Sequence, residues 1–267
     1  MIIGEDSVFR KIPSVLDRRQ ALFMEAIRYS VEMAALAYHR LQKTLPLMTK
    51  KMEDVDKDTP SSVSVMLDAW SIVDSLHRLR GLAEKMPGVK GKYKNPKFRL
   101  FMGSTENITT LRHTVQHLDT EIGGVVDDKD WAVLGSLSWC LVNPERNEIT
   151  ACTFMPGIPM GSRPLINPAG RRIWHLPVDF ITIERSGVSV CLSDAMRRME
   201  ALVASMEKGF SDACAEQIPE EHKGKTYGAD LLLCVVMSVA AQQIVPEDTP
   251  DPEPELPPVE GGEEDDE

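Results

Sequence analysis

The residue types best suited to acid–base chemistry on phosphate esters lie together in one hexapeptide, residues 112–117. It holds an arginine, Arg112, and two histidines, His113 and His117. A guanidinium binds phosphate oxygens through charge-assisted hydrogen bonds, and an imidazole can give or take a proton near neutral pH. The hexapeptide therefore indicates a site that holds a phosphate and moves protons to or from it.

These residues fall on a segment that the spacing of its apolar residues predicts to be a helix. On an ideal helix Arg112 and His117 point about 140° apart, both off the apolar stripe. His113 and His117 are one turn apart and share a face. The stripe itself consists of Ile108, Leu111, Val115, Leu118 and Ile122.

Two longer helices are predicted before this segment. The first begins after Ser14 or Asp17, and Pro46 ends or kinks it. The second begins at Thr59-Pro60, an N-cap followed by a proline at the first helical position. The positions expected to face the core are Phe23, Ile27, Val31, Ala34, Tyr38, Leu41 and Leu45 in the first helix and Val63, Met66, Leu67, Trp70, Val73, Leu76 and Leu79 in the second.

A basic loop is predicted between the second helix and the motif helix. The second helix stops before Pro87, and residues 85–99 form the loop, with six basic residues and no acidic one. The motif helix is then capped by Ser104 or Thr105 and ends at Gly123-Gly124.

The period of the pattern changes after residue 124. Alternate apolar positions predict a strand, residues 143–147 a turn, and residues 148–155 the returning strand. A second hairpin is predicted over residues 179–192 around Ser186-Gly187. The alternating positions of the first strand are Trp131, Val133, Leu137, Trp139 and Leu141.

A helix near residues 193–217 follows, with Met199, Leu202, Val203, Met206 and Phe210 facing inward. Residues 227–245 are ambiguous between a buried helix and a strand, and we favour a helix. The order of helices, hairpins and helices predicts the α+β class. The expected parts are a helical bundle (1–125), antiparallel hairpins plus helices (126–245) and a disordered, acidic, proline-rich tail (246–267).

The net charge of −11 belongs to that tail, which holds eleven Asp and Glu and no Lys or Arg. Subtracting these eleven from 41 acidic residues leaves 30 against 30 basic ones, so the remaining body is formally neutral. A neutral body argues against strong nonspecific binding of nucleic acid. The tail is expected to act as a solubilising extension; the alternatives are a nucleic-acid mimic, a cover for a basic site, or a contact for a protein partner.

The five cysteines, Cys140, Cys152, Cys191, Cys214 and Cys234, form no close pairs, which favours reduced thiols in a cytoplasm. No signal peptide is evident, and the longest apolar run, residues 231–241, is about half of the ~20 residues that a membrane helix needs. We therefore expect a soluble, cytoplasmic protein without a membrane contact.

Arg112, His113 and His117 match, in order, the arginine, polar residue and histidine of a known signature, with three residues between the last two. In this respect residues 14–124 resemble the HEPN domain, a helical bundle of prokaryotic toxins and RNases. The resemblance departs in two respects. The family bundle has a further helix before the motif helix, where residues 93–103 are expected to supply one short turn, and the predicted hairpins have no counterpart.

The resemblance implies metal-independent cleavage of RNA in a cleft between two protomers, hence a homodimer and no cofactor. Arg112 would hold the scissile phosphate, His117 would move a proton to or from the 2′-hydroxyl or the leaving oxygen, and His113 would orient the substrate or its neighbour. The alternative from the residues alone is a solvated polar face on a non-catalytic interaction or scaffold module.

Two further sites follow from composition. The basic loop interleaves cations with aromatic rings, which suits a phosphate backbone and a stacked base, although an exposed solubilising loop has the same composition. Glu106, His113, His117 and Glu121 line one strip of the motif helix. The two histidines are spaced as metal ligands can be, but neither glutamate is a clear third ligand, so we expect no metal site. The residues of the loop expected to contact nucleic acid are Lys90, Lys92, Tyr93, Lys94, Lys97 and Arg99.

Overall fold

A computed structural model of the chain has helices in its N-terminal part, a four-stranded antiparallel sheet and a long C-terminal helix. The predicted α+β class is therefore confirmed. The residues that the structure describes are 2–50, 62–87, 92–117, 133–157, 165–228, 230 and 234.

Helix α1 spans Arg18–Lys50 and begins at the predicted cap, where the carboxylate of Asp17 accepts a hydrogen bond from the backbone N–H of Gln20 at 2.9 Å. The predicted inward positions are buried, apart from Phe23, which is half-buried against the core. The helix continues through Pro46 to Lys50, so an end at Pro46 was wrong. Core packing of the side chains on either side of the proline outweighs the backbone hydrogen bond that it removes.

Helix α2 spans Ser62–Lys85 and stops before Pro87, as predicted. Met66, Val73, Leu76 and Leu79 are buried, whereas Val63 and Leu67 are exposed, which corrects their assignment to the core. At about 100° per residue, Val63 and Leu67 lie on the side of α2 roughly opposite to its buried residues. The predicted start at residues 59–60 lies outside the described residues.

The prediction of a loop over residues 85–99 was wrong at its C-terminal end. After a 3₁₀ turn, Lys92–Lys94, helix α3 runs over Pro96–Ser104. Asn95 caps this helix by accepting a hydrogen bond from the N–H of Lys97 at 2.9 Å, and Phe98 faces the core. A nine-residue helix therefore precedes the motif helix, where one short turn was expected.

The motif helix, α4, spans Ile108–Gln116 and is shorter than predicted at both ends. Its N-cap is Asn107, because Ser104 is the last residue of α3 and Thr105 is the C-cap of α3. The Thr105 hydroxyl donates a hydrogen bond back to the Phe101 carbonyl at 2.7 Å, which satisfies α3 and leaves the side chain unable to cap α4. The predicted end at residues 123–124 lies outside the described residues, and α4 ends seven residues earlier.

The two predicted hairpins are both confirmed and form one sheet with strand order β2-β1-β3-β4. Ser186 and Gly187 have φ of 51° and 73°, as a type I′ turn requires at both central positions. The strands are β1 (Ser136–Asn143), β2 (Glu148–Phe154), β3 (Val178–Arg185) and β4 (Val188–Cys191).

Helix α5 follows β4 directly over Leu192–Gln217, which confirms the helix predicted near residues 193–217. Its predicted inward positions are buried or packed against the core. Most of the helix predicted over residues 227–245 lies outside the described residues. Tyr227, at its predicted start, is not helical.

The segment before α1 contributes to the same core. Ile3 and Phe9 are fully buried, and the Phe9 ring meets the Phe210 ring of α5 edge to face at 5.7 Å. An antiparallel β-bridge joins Pro13 to Thr226. The segment before α1 is therefore joined to the segment around Thr226.

Residues 1–229 form one compact unit and residues 230–267 another. Within the first unit, the buried apolar residues form one cluster that includes side chains of α1 to α5 and of the sheet. The predicted boundary between residues 125 and 126 lies outside the described residues, so it stays a prediction, as does the disordered tail over 246–267.

Candidate functional site

Arg112 is anchored where α4 packs against α2. Its Nε donates a hydrogen bond to Oδ1 of Asp74 at 2.7 Å, and the other carboxylate oxygen accepts from Arg78 at 2.8 Å. Asp74 thus lies between two guanidinium groups. Within the part of the chain that the structure describes, the two terminal nitrogens of Arg112 have no hydrogen-bond partner, which leaves them available to a phosphate.

The two histidines of the motif lie side by side on the exposed surface of α4. The rings of His113 and His117 are parallel within 6°, with centroids 5.9 Å apart. His117 is the C-cap of the helix, and its backbone N–H donates to the His113 carbonyl at 3.2 Å. The predicted pairing of these two side chains on one face is therefore what the structure has.

A third histidine, His77, belongs to the same cluster. It lies on α2, one turn after Asp74. Burial and the nearby Arg112 guanidinium lower the pKa of the His77 imidazole, with smaller contributions from His113 and Arg80, while Asp74 opposes the shift. The i, i+3 spacing of Asp74 and His77 is visible in the sequence, but the proximity of His77 to α4 is not.

The basic segment predicted to contact nucleic acid is partly engaged within the protein. The Tyr93 hydroxyl donates to Glu84 at 2.9 Å, and the Tyr93 ring meets the Phe98 ring edge to face at 5.1 Å. Arg99 donates to the carbonyl oxygen of Tyr93 at 3.0 Å. Lys94 and Lys97 are exposed and Lys92 is half-exposed, whereas Lys90 lies outside the described residues.

Arg80 connects the histidine cluster to the basic segment. Its guanidinium donates to the Met102 carbonyl and, at 3.1 Å, to the Thr105 hydroxyl, both at the end of α3. The hydrogen bond with Glu84 raises the pKa of Tyr93, and the positive charge of Arg80 opposes that rise; the same charge contributes to the lowered pKa of His77. The two sets of residues that the sequence singled out therefore lie on adjoining surfaces.

In the part of the chain that the structure describes, His113 and His117 are exposed and Arg112 and His77 are half-buried. Arg112, His113 and His117 do not line the cleft of about 580 Å³ that α1, α2, α3 and α5 enclose, whose walls are mainly apolar. Among the described residues, no three His, Cys, Asp or Glu side chains lie close enough to hold a metal ion, and Glu121 of the strip considered above lies outside them. The arrangement suits contact with an extended phosphodiester.

No described helix is long and apolar enough to cross a membrane. No protein-family model, curated protein or solved structure matches the chain.

Proposed function

We propose that this protein is a HEPN-like, metal-independent ribonuclease that acts in the cytoplasm. Its reacting groups would be Arg112, His113 and His117 of the motif together with His77. The observation that carries the proposal is the gathering of one guanidinium and three imidazoles where α2 meets α4. These are the groups that cleavage of a phosphodiester needs when no metal ion takes part.

Arg112 would stabilise the charge that develops on the phosphate. Because Asp74 holds its Nε, the guanidinium is oriented before a substrate arrives, and its terminal nitrogens can donate to two phosphate oxygens. Preorganised donors of this kind stabilise a transition state more than mobile ones do.

The histidines would divide the proton transfers. A lowered pKa keeps His77 neutral at physiological pH, so it would accept the proton of the ribose 2′-hydroxyl. The 2′-oxygen then bonds to phosphorus while the bond from phosphorus to the 5′-oxygen breaks. His117 would give a proton to that leaving oxygen, and His113, stacked on it, would hold its ring in place. The products would be a 2′,3′-cyclic phosphate and a free 5′-hydroxyl.

The basic segment would extend the contact with RNA beyond the scissile bond. Lys92, Lys94 and Lys97 supply positive charge to a phosphate backbone that passes Arg80 on its way to the histidines. Lys90 and Arg99 would add to this charge, and Tyr93 would present its exposed ring to a base.

The alternative is a non-catalytic interaction or scaffold module, with the acidic tail as a contact for a protein partner. The observation that favours it is the ion pair itself, since Asp74 neutralises the charge of Arg112.

The test is cleavage of single-stranded RNA by the purified full chain in the presence of a metal chelator. We expect Arg112→Ala to reduce the rate by about 100-fold or more, and His117→Ala by about 10²- to 10⁴-fold. Arg146→Ala and His39→Ala are matched controls, because Arg146 and His39 are exposed residues away from α4, and both should leave the rate unchanged.

Equal cleavage by wild type and by both motif variants would contradict the assigned residues. Absence of cleavage of any RNA by wild type would favour the interaction module. Products that end in a 3′-hydroxyl would contradict the proposed chemistry even if cleavage occurs.

A further inference from the structure

The apolar cleft between α1, α2, α3 and α5 is a gap in the core of the protein. It has a volume of about 580 Å³, and several of its walls belong to the buried apolar cluster. Protein interiors are closely packed and contain few voids larger than a water molecule. Sites that bind small molecules have volumes of about 300 to 1,000 Å³. The size of the cleft is therefore that of a binding site.

The walls of the cleft suit a flexible apolar ligand. They include three methionines, Met24, Met86 and Met206, and the rings of Phe98 and Phe210. A methionine side chain is unbranched and rotates about several bonds, so it adapts its shape to what it contacts. Burial of an aliphatic chain here is favourable, because the chain and the walls both leave water. The walls therefore favour an aliphatic chain.

Polar groups line the cleft where the start of α3 meets α5. The side-chain amide of Asn95 donates to the Ser205 hydroxyl at 3.0 Å, and the backbone N–H of Asn95 donates to the Lys92 carbonyl at 3.0 Å. All three residues line the cleft, so its polar groups are gathered on one side.

The charge of this polar side is positive. Lys92 is the only charged residue among the described residues that line the cleft. Within the described part of the chain, its ammonium has no acidic partner, and the Ser205 hydroxyl has no acceptor for its own proton. An ammonium and a hydroxyl are both donors to a carboxylate, and the single cation balances a single negative charge.

We propose that the cleft binds a fatty acid, whose aliphatic chain lies between the methionines and whose carboxylate contacts Lys92 and Ser205. A neutral alcohol with the same chain would lose the charge-assisted contact. A phosphate monoester carries up to two negative charges near neutral pH, which is more than the ammonium of Lys92 balances.

This inference goes beyond the proposed ribonuclease activity. Neither Arg112 nor the histidines of the cluster line the cleft. Lys92 also belongs to the basic segment, so the experiments measure binding of a fatty acid and use no RNA. Failure of one proposal therefore leaves the other standing.

The first experiment measures binding of decanoate to the purified full chain by isothermal titration calorimetry, below the concentration at which decanoate forms micelles. We expect a single site with a Kd on the order of 10 µM. Decanol has the same chain without the charge and should bind about tenfold more weakly. Absence of saturable binding, or equal affinity for decanoate and decanol, would overturn the proposal.

The second experiment tests the position of the carboxylate. Lys92→Gln should raise the Kd for decanoate by about tenfold and leave the Kd for decanol unchanged. Lys94→Gln is the matched control, because Lys94 is an exposed lysine of the same 3₁₀ turn that does not line the cleft. Equal effects of the two substitutions on decanoate would mean a general attraction of anions, which would contradict the assigned contact.

The third experiment fills the cleft. Gly209 of α5 lines it, and a Cβ at Gly209 would have no described heavy atom within 4 Å. Gly209→Leu should therefore keep the helix, in which leucine is favoured over glycine, and raise the Kd for both decanoate and decanol by about tenfold or more. Circular dichroism should show the variant folded.

Gly103→Leu is the control for this substitution. Gly103 is an exposed glycine of α3 with the same open surroundings, and it does not line the cleft, so its replacement should leave both Kd values unchanged. Wild-type affinity of the folded Gly209→Leu variant would place the ligand elsewhere and overturn the proposal.

Discussion

Two sets of polar contacts in this protein each involve an aspartate, and they differ in their exposure to solvent. Where β3 meets the start of α5, the Tyr38 hydroxyl donates to the Ser193 hydroxyl at 3.0 Å, which also accepts from the backbone N–H of Ile181 at 3.0 Å. Beside them the Asp179 carboxylate, 1% exposed, accepts hydrogen bonds from backbone N–H groups only. All of these groups are buried and partnered.

Where α2 meets α4, the carboxylate of Asp74 binds Arg78 and Arg112 with 40% of its side chain exposed. Water can replace a partner that is lost on this surface, but not one lost beside Asp179. We infer that the buried contacts of Asp179 stabilise the fold. The contact between Asp74 and Arg112 can instead be replaced by a contact with a ligand, with little loss in the free energy of unfolding. Three substitutions test this difference.

The largest effect is expected from Asp179→Ala. It leaves the N–H groups of Trp174, His175 and Phe180 without the acceptor that they have at 2.6, 3.3 and 2.7 Å, and we expect a loss of about 3 kcal/mol or more in the free energy of unfolding. Urea denaturation measures it. Asp212→Ala, which removes an exposed ion pair with Lys208, is the control and should change stability by less than about 1 kcal/mol. Equal effects of the two substitutions would refute the contrast.

A smaller loss, about 2 kcal/mol, is expected from Ser193→Ala. The substitution removes the acceptor of both the Tyr38 hydroxyl and the Ile181 N–H inside the core. Tyr38→Phe should be milder, because it removes one donor and keeps the bond from Ile181 to Ser193. Denaturation of the single and double variants would show whether the two losses are coupled, and additive losses would mean that the network does not act as a unit.

The smallest effect on stability, less than about 1 kcal/mol, is expected from Arg112→Gln, because the ion pair with Asp74 is partly exposed to solvent. The same substitution should raise the pKa of His77, since it removes a positive charge that lowers it. The His77 imidazole binds a proton more readily in the unfolded chain than in the folded one. Its protonation therefore lowers the free energy of unfolding as the pH falls through 6.5, and the Arg112→Gln variant should lose less of that free energy over the same pH range. NMR titration of the imidazole measures the shift, with Arg78→Gln as the control; an unchanged pKa would mean that Arg112 does not act on His77.

Most of the fold could be predicted from local patterns. The inner stripe of α1, its Asp17 cap and the turn at Ser186-Gly187 are each determined by residues close together in sequence. Helix α3 was missed although Asn95-Pro96 is the same kind of start signal as Thr59-Pro60, because the run of lysines around it was interpreted as a loop. The early end of α4 was missed because the apolar stripe continues past Gln116.

The candidate site could be predicted only in part. Arg112, His113 and His117 stand out by residue type and spacing. Their partner Asp74 and the third imidazole, His77, are 38 and 36 positions away from Arg112 and His113, and packing of α4 on α2 brings them together.

The β-bridge between Pro13 and Thr226 has a consequence for the synthesis of this protein on the ribosome. The Ser14 hydroxyl and the Lys225 carbonyl that it contacts are 211 positions apart, so the start of the chain emerges long before its partner is made. At roughly 5 to 20 residues per second, Ile3 and Phe9 would remain without their final burial for roughly 10 to 40 s. Completion of the core is therefore a late event, and the nascent chain presents these apolar side chains to chaperones until the segment around Thr226 has left the exit tunnel.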